Sequence, residues 1–242
     1  KKMSPAGIGT AKFRGEAVAA VAAETLEIAQ QAVDLIKVEY EELPAVTNAI
    51  EGMKPDAPII HPDLGSYKVA PIFHPIAGTN ISHHFKLRKG DVEKGFAESD
   101  YVTEHTYYVP HVQHVPIEPH VAVAQYEADG KLTVWASCQS PFAVRQALAA
   151  SFDLPLNKVR VISPYVGGGF GAKQTMVCEV YPAIVTMKTG LPAMIVYTRG
   201  ESQTISSPRH AMNIHVRLGA TKDGVIRAVD MFTLSNSGAY GE

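Results

Sequence analysis

The densest chemical signal in this chain is the nine-residue run Val166-Gly167-Gly168-Gly169-Phe170-Gly171-Ala172-Lys173-Gln174. Glycine fills four of the five positions from 167 to 171, so the backbone can take positive φ and approach a ligand with no Cβ in the way. A glycine turn that opens a helix also offers unpaired N–H groups and the positive end of a dipole, which suits an anion. The plainer reading is a tight strand-to-helix turn that merely needs glycine. Phe170, a large apolar residue inside the turn, is out of place on that plainer reading. A nucleotide P-loop needs Gly-Lys-Ser/Thr at its end, and Ala172-Lys173-Gln174 lacks the magnesium-binding hydroxyl. A dinucleotide fingerprint fits better, because Gly167, Gly169 and Ala172 satisfy G-x-G-x-x-A. That reading makes the chain an NADP-binding oxidoreductase domain, with Arg199 nearest the end of the next strand and Glu201 late for a ribose contact.

Other reactive side chains give weaker patterns. His111, His114 and His120 suggest a metal cluster, but Pro110, Pro116 and Pro119 exclude a helix. In an extended chain His111 and His114 point to opposite faces. Glu118 has no visible nucleophile or base beside it and reads as a structural carboxylate. Ser206, Ser207 and His210 do not form a nucleophile elbow. Cys138 and Cys178 have no basic neighbour in sequence and read as packed thiols.

The elements that must position these residues follow from pattern and punctuation. Lys158–Ile162 reads as a strand entering the glycine turn, and Met176–Lys188 as the helix leaving it. Val121–Glu127 and Lys131–Ala136 flank Ala128-Asp129-Gly130, a hairpin signal. Ser140-Pro141 reads as an N-cap with proline at the first helical position, continued by Phe142–Phe152. Met194–Tyr197 is a further strand, and Asn213–Ala220 with Val225–Ser235 forms a second hairpin around Asp223-Gly224. Thr103–Val109 is β-rich, and Asp91 caps a short helical turn at Val92–Phe96. Nearer the start, Ala17–Ala23, a helix capped by Thr25, and Val38–Tyr40 suggest a β-α-β arrangement. Pro55, Pro58, Pro62, Pro71 and Pro75 make residues 47–95 an extended linker. Hairpins and crossover helices together give an α+β class.

The 242 residues are 46% hydrophobic and 19% charged, enough to bury a core. A formal net charge of −2 makes no electrostatic case for nucleic acid or an anionic membrane. No apolar run approaches the roughly 20 residues of a membrane span. Two cysteines cannot hold an iron–sulfur cluster that needs four, and a reduced, cytoplasmic protein is the simplest expectation. The chain opens Lys1-Lys2-Met3 and stops at Glu242 just after a strand-like run, which reads as one piece of a longer polypeptide or a subunit completed by a partner.

Several segments together resemble the molybdenum hydroxylases, the xanthine dehydrogenase/aldehyde oxidase family. Val166–Lys173 looks like the family's Gly-Gly-Gly-Phe-Gly-x-Lys loop. Pro116-Ile117-Glu118-Pro119 is similar to its Pro-hydrophobic-Glu-Pro stretch, and Val134–Pro141 to its strand-to-helix segment ending Thr-Gln-x-Pro. Residues 13–46 look like the end of its α/β hammerhead domain. The resemblance divides the chain into a hammerhead portion at 1–46, a linker at 47–95, and the first part of a molybdopterin-binding domain at 96–242. It implies that the Gln139 amide donates to an oxo ligand of molybdenum, and that Gly168, Gly169, Phe170 and Gly171 lie beside the metal and pterin. It also puts Gln174 where xanthine-oxidising members carry a glutamate that contacts the purine. The implied cofactor is molybdenum-molybdopterin in the cytosine dinucleotide form, with 2Fe-2S and FAD on partner subunits. The implied partners are the remaining molybdopterin-binding segment, an iron–sulfur subunit and an FAD subunit, in a dimer of such complexes. The general-base glutamate of the family has no counterpart here, so the chain alone is expected to be inactive. A non-catalytic assembly module that keeps this fold is a further alternative.

Overall fold

The computed structural model describes residues 9–67, 69 and 71–240. The described residues divide into two compact units, one of residues 9–41 and 113–208, the other of those within 42–112 and 209–240.

The first unit is built on a four-stranded sheet of order β4-β3-β2-β5. Strands β2 (Val121–Tyr126) and β3 (Leu132–Ala136) form the expected hairpin, with Gly130 at φ 81° in the turn between them. β3 then runs through helix α4 (Pro141–Phe152) to β4 (Val159–Ile162), which lies parallel to β3. Pro141 starts α4 as expected, but the Ser140 side chain makes no capping bond; Asp153 ends the helix in the left-handed region. Helix α5 (Val180–Thr189) packs over β2, and β5 (Ala193–Val196) pairs antiparallel with β2. Helix α6 (Arg199–Ile205) closes this part of the chain with a capping box between Thr198 and Glu201. Ala122, Ala124, Leu132, Val134, Val144, Leu148, Val159 and Ala183 fill the core with Cys138 and Cys178. Small residues on β2 let α5 sit close to the sheet, and burial of the larger aliphatic side chains stabilises by roughly 1.5–3 kcal/mol each.

Two expectations need correction in this unit. Ala17–Ala23 and Val38–Tyr40 form no strand, although the helix between them, α1 (Leu26–Asp34), is present with Thr25 as its cap. A strand needs a partner for its N–H and C=O groups, and no described residue supplies one. The helix expected from Met176 begins only at Val180. Residues 170–173 instead make a separate turn, with Ala172 N–H on Gly169 O and Gln174 N–H on Gly171 O.

The second unit is a three-stranded antiparallel sheet of order β1-β6-β7. Its strands are β1 (Tyr101–Val109), β6 (Ala211–Ala220) and β7 (Ile226–Asn236). Helix α3 (Val92–Ala97) covers part of it, capped by Asp91 as expected, with Phe96 buried and the Arg217 guanidinium 4.0 Å above its ring. The stretch 47–95, expected to be mostly extended connection apart from the turn at Val92–Phe96, also carries α2 (Ala49–Gly52), whose first turn donates to its cap, Asn48.

Candidate functional site

Because β3 and β4 are parallel neighbours, their C-terminal ends come out side by side, with Trp135 opposite Ile162. The segment after β3 carries Ser137, Cys138 and Gln139; the segment after β4 leads to the glycine turn. The Ser163 hydroxyl donates to Cys138 O at 2.7 Å and ties the two exits together. Ligands of open sheets gather at such strand ends.

Gln139 and the turn are paired closely. Gln139 N–H donates to Lys173 O at 2.8 Å. In return Gln139 Oε1 accepts from Gly171 N–H at 2.9 Å and from Lys173 N–H at 3.3 Å. Two N–H donors on one amide atom identify it as the oxygen, so the NH2 group must lie on the other side. Among the described residues that NH2 has no hydrogen-bond partner, and Gln139 is exposed. Gly169 is where the turn meets this side chain. A Cβ there would lie 2.5 Å from Gln139 Cδ and 2.7 Å from Cγ, so only glycine fits.

The turn itself has unusual backbone. Gly168 has φ 97°, Gly171 φ 106°, and Phe170 adopts φ 54°, a left-handed conformation that bulky residues avoid. The Phe170 ring lies against Gly168 and remains 72% exposed. Gly168, Gly169 and Phe170 donate no hydrogen bond among the described residues, which leaves three successive N–H groups available. Gln174 follows with its side chain exposed.

Beneath the turn lies a polar cluster that the sequence did not reveal. Glu118 Oε2 accepts from Gly167 N–H at 2.7 Å, Lys173 Nζ at 2.8 Å and Ser137 Oγ at 2.5 Å. Lys173 is 1% exposed. Burial alone pushes the Glu118 carboxyl up, but the bonds from Lys173, Ser137 and Gly167 outweigh it and hold the group below the ordinary carboxylate range. His120 is buried, with Nε2 3.0 Å from Ala172 O and Nδ1 3.2 Å from Ser202 Oγ. A carbonyl only accepts, so Nε2 carries the proton and Nδ1 accepts from the serine. Burial lowers the pKa of this imidazole. His114 sits against Gly171, and its buried Nδ1 has no partner among the described residues. Cys138 and Cys178 are buried free thiols, both pushed up by burial.

These contacts overturn the dinucleotide reading of Gly167, Gly169 and Ala172. No helix opens at the turn; α5 starts eight residues after Ala172. The Glu201 carboxylate is engaged in the capping box of α6, and the Arg199 guanidinium donates to Pro116 O at 2.7 Å and Ile117 O at 2.6 Å. Neither is free for a ribose or its phosphate. Lys173, which a P-loop would aim at phosphate, is buried on Glu118. Among the described residues no three His, Cys, Asp or Glu side chains converge as metal ligands, and the histidines at 111, 114 and 120 form no such group. A neutral amide donor, a cradle too tight for Cβ and three free N–H groups fit a group that is rich in acceptor oxygens.

Comparison with known proteins gives the family. Residues 73–242 match the model of the molybdopterin cofactor-binding domain, and residues 6–44 that of the aldehyde oxidase and xanthine dehydrogenase a/b hammerhead domain. The chain is 38% identical over 226 residues to the nicotinate dehydrogenase large molybdopterin subunit of Eubacterium barkeri, covering 93% of this chain and 50% of that one. It is 38% identical over 229 residues to a probable xanthine dehydrogenase subunit of Bacillus subtilis, covering 95% and 29%. Quinoline 2-oxidoreductase from Pseudomonas putida 86 superposes with a TM-score of 0.82 at 28% identity, over 97% of this chain and 28% of that one. The chain thus spans half or less of the length of these relatives. It belongs to the molybdenum hydroxylase family, through its molybdopterin cofactor-binding domain.

Proposed function

We propose that this chain is the molybdopterin-binding portion of an oxidoreductase that hydroxylates an aldehyde or N-heterocycle with water as the oxygen source. The observation that carries the reading is the orientation of Gln139. Its oxygen is occupied by Gly171 and Lys173, so its NH2 is presented as a donor beside the free N–H groups of Gly168, Gly169 and Phe170. When bound, the molybdenum cofactor supplies oxygen transfer to an electrophilic carbon and accepts two electrons. Gln139 holds an oxygen acceptor of that cofactor without competing as a metal ligand, because a neutral amide is a poor one. Gly168, Gly169 and Gly171 let the backbone come close, and the exposed Phe170 ring excludes water from that face. Gln174 can hydrogen-bond a substrate but offers no carboxylate, which disfavours xanthine itself. The printed names of two relatives, nicotinate dehydrogenase and quinoline 2-oxidoreductase, point toward N-heterocycles.

On this reading residues 1–46 end a hammerhead domain, 47–95 connect, and 96–242 begin the molybdopterin-binding domain. The general-base glutamate comes from a further molybdopterin-binding segment. Electrons leave to iron–sulfur and FAD subunits of a cytoplasmic dimeric complex, and the cofactor is the cytosine dinucleotide form. The test is metal and cofactor analysis of the native complex: molybdenum with a pterin dinucleotide is expected. Nicotinamide nucleotide without molybdenum would sink the proposal, and neither group at all would indicate an assembly module. In the metallated enzyme Gln139→Ala removes a charge-assisted hydrogen bond of about 1.5–3 kcal/mol, so turnover per molybdenum should fall roughly tenfold or more; unchanged turnover refutes the role of Gln139.

A further inference from the structure

One carboxylate oxygen fastens both ends of the glycine turn. Glu118 Oε2 takes Gly167 N–H where the turn begins and Lys173 Nζ where it ends. Glu118 N–H donates back to Gly167 O at 3.2 Å, so the first glycine is gripped twice. Ser137 lies between the charges, donating to Glu118 and accepting from Lys173 Nζ at 2.6 Å. The Lys173 backbone, meanwhile, pairs with Gln139 through both its N–H and its carbonyl. Lys173 therefore connects two functions: its side chain is moored in the protein, and its backbone sets where Gln139 lies. The mooring is itself anchored, since Arg199 holds Pro116 O and Ile117 O just ahead of Glu118, and His120 holds Ala172 O just ahead of Lys173.

We propose that Glu118, Ser137 and Lys173 are positioning residues: they fix the glycine turn in the one arrangement that directs the Gln139 NH2 outward. An ion pair with a buried lysine and a half-buried carboxylate is weak evidence for stability, because well-packed apolar residues of the same volume often do as well. What an ion pair supplies and a methionine does not is a fixed distance between two particular points of the chain. Here those points are the turn's first glycine and the residue that brackets Gln139. The inference rests on the proposed cofactor role of Gln139, but its core statement concerns this chain's own geometry and can be measured apart from that role.

The experiment uses the intact complex with Lys173→Met, Ser137→Ala, Gln139→Ala, and Lys173→Met combined with Gln139→Ala. Hydrogen exchange is followed by mass spectrometry on cofactor-stripped protein, comparing peptides that cover 166–174 with those that cover 121–136. The expected result for Lys173→Met is exchange tenfold or more faster in the turn and unchanged in the hairpin; Ser137→Ala should move the same peptides severalfold. Turnover per bound molybdenum should fall about tenfold in Lys173→Met, and the combined variant should be no worse than Gln139→Ala alone. Unchanged exchange in the turn, or losses that multiply in the combined variant, would overturn the proposal. If Lys173→Met loosens the whole unit, Ser137→Ala, the smaller truncation, decides by the same two readouts. A wild-type complex free of molybdenum defeats the proposed function, while the exchange measurement still decides the positioning role.

Discussion

Gly169→Ala offers the most direct reading of the Gln139 arrangement. The new Cβ would stand 2.5 Å from Gln139 Cδ and 2.7 Å from Cγ, inside any tolerable contact. Gly169 is not in the left-handed region, so the substitution adds no backbone strain of its own. The Gln139 side chain, exposed at the surface, is what must move. Its departure breaks the bonds from Gly171 N–H at 2.9 Å and Lys173 N–H at 3.3 Å. The released carboxamide returns to water, but the N–H of the buried Lys173 loses its acceptor. One lost bond at about 1 kcal/mol and one stranded donor at about 1–3 kcal/mol are offset by the roughly 0.4–1 kcal/mol that glycine-to-alanine exchange gains through the unfolded chain. The net loss is about 2 kcal/mol, or roughly 30-fold in a local opening equilibrium. Amide exchange at Gly171 and Lys173 should accelerate by about that factor. In a Gln139→Ala background the collision partner is gone, so adding Gly169→Ala should change exchange by less than about 0.5 kcal/mol-equivalent. If Gly169→Ala is equally damaging with and without the Gln139 side chain, the glycine serves something other than this packing and the reasoning fails.

Two further outcomes follow from the same geometry. Phe170 holds φ 54° with its ring 72% exposed, so Phe170→Gly removes a left-handed strain of roughly 1–2 kcal/mol and little apolar burial. The urea midpoint should stay or rise, and destabilisation beyond about 1 kcal/mol would show that the ring is packed more firmly than its exposure indicates. For pH, burial depresses the His120 pKa from 6.5, so the unfolded chain takes the proton first and stability falls as pH drops below about 6.5. The depressed Glu118 carboxyl adds a second decline below its ordinary value of 4.5, completed as pH falls through its folded pKa. Denaturation midpoints from pH 8 to 4, compared with those of a His120→Gln variant, should show the histidine's share of the decline and the onset of that of Glu118; buried Glu179, raised by its burial, adds a slope of the opposite sign in both proteins. The same slope between pH 8 and 5 with and without His120 contradicts the buried neutral histidine.

What was legible in the sequence was whatever local pattern encodes. The β2–β3 hairpin follows from alternation around Asp129-Gly130, and α4 from Pro141 followed by a run of helix formers. Gln139 and the glycine turn stood out because each sits in a short segment with a distinctive composition, and the structure brings the two into contact; their role toward a cofactor is the proposal made above. The strands expected at Ala17–Ala23 and Val38–Tyr40 failed because an apolar run states what a strand contains, not whether a partner is present. The late start of α5 was hidden as well. Apolar periodicity from Met176 looks helical, but the Val177 N–H is satisfied by Glu179 Oε2 at 2.7 Å, which holds the chain in a turn until Val180. The least legible feature was the clamp. Glu118 and Lys173 lie 55 positions apart, and nothing local to either segment marks the other as its partner. In sequence Glu118 read as a structural carboxylate within a family-like Pro-Ile-Glu-Pro stretch, and Lys173 as the lysine that closes the glycine run and as a failed P-loop lysine.

That failure has a physical origin, and it says how the site is built. A P-loop lysine must keep its ammonium in the ligand's space, so the loop around it cannot also bury it. Here the lysine is turned inward, and the ligand side of the turn is left with neutral donors only: three backbone N–H groups and one carboxamide. Neutral donors hold an anionic oxygen-rich group through hydrogen bonds whose strength depends steeply on angle and distance. A charged side chain can follow a displaced ligand; a backbone N–H cannot. On the proposed function, a site made this way works only if the turn itself does not shift, and Glu118 and Lys173, whose charges lie behind the turn and not in front of it, are placed to fix its backbone.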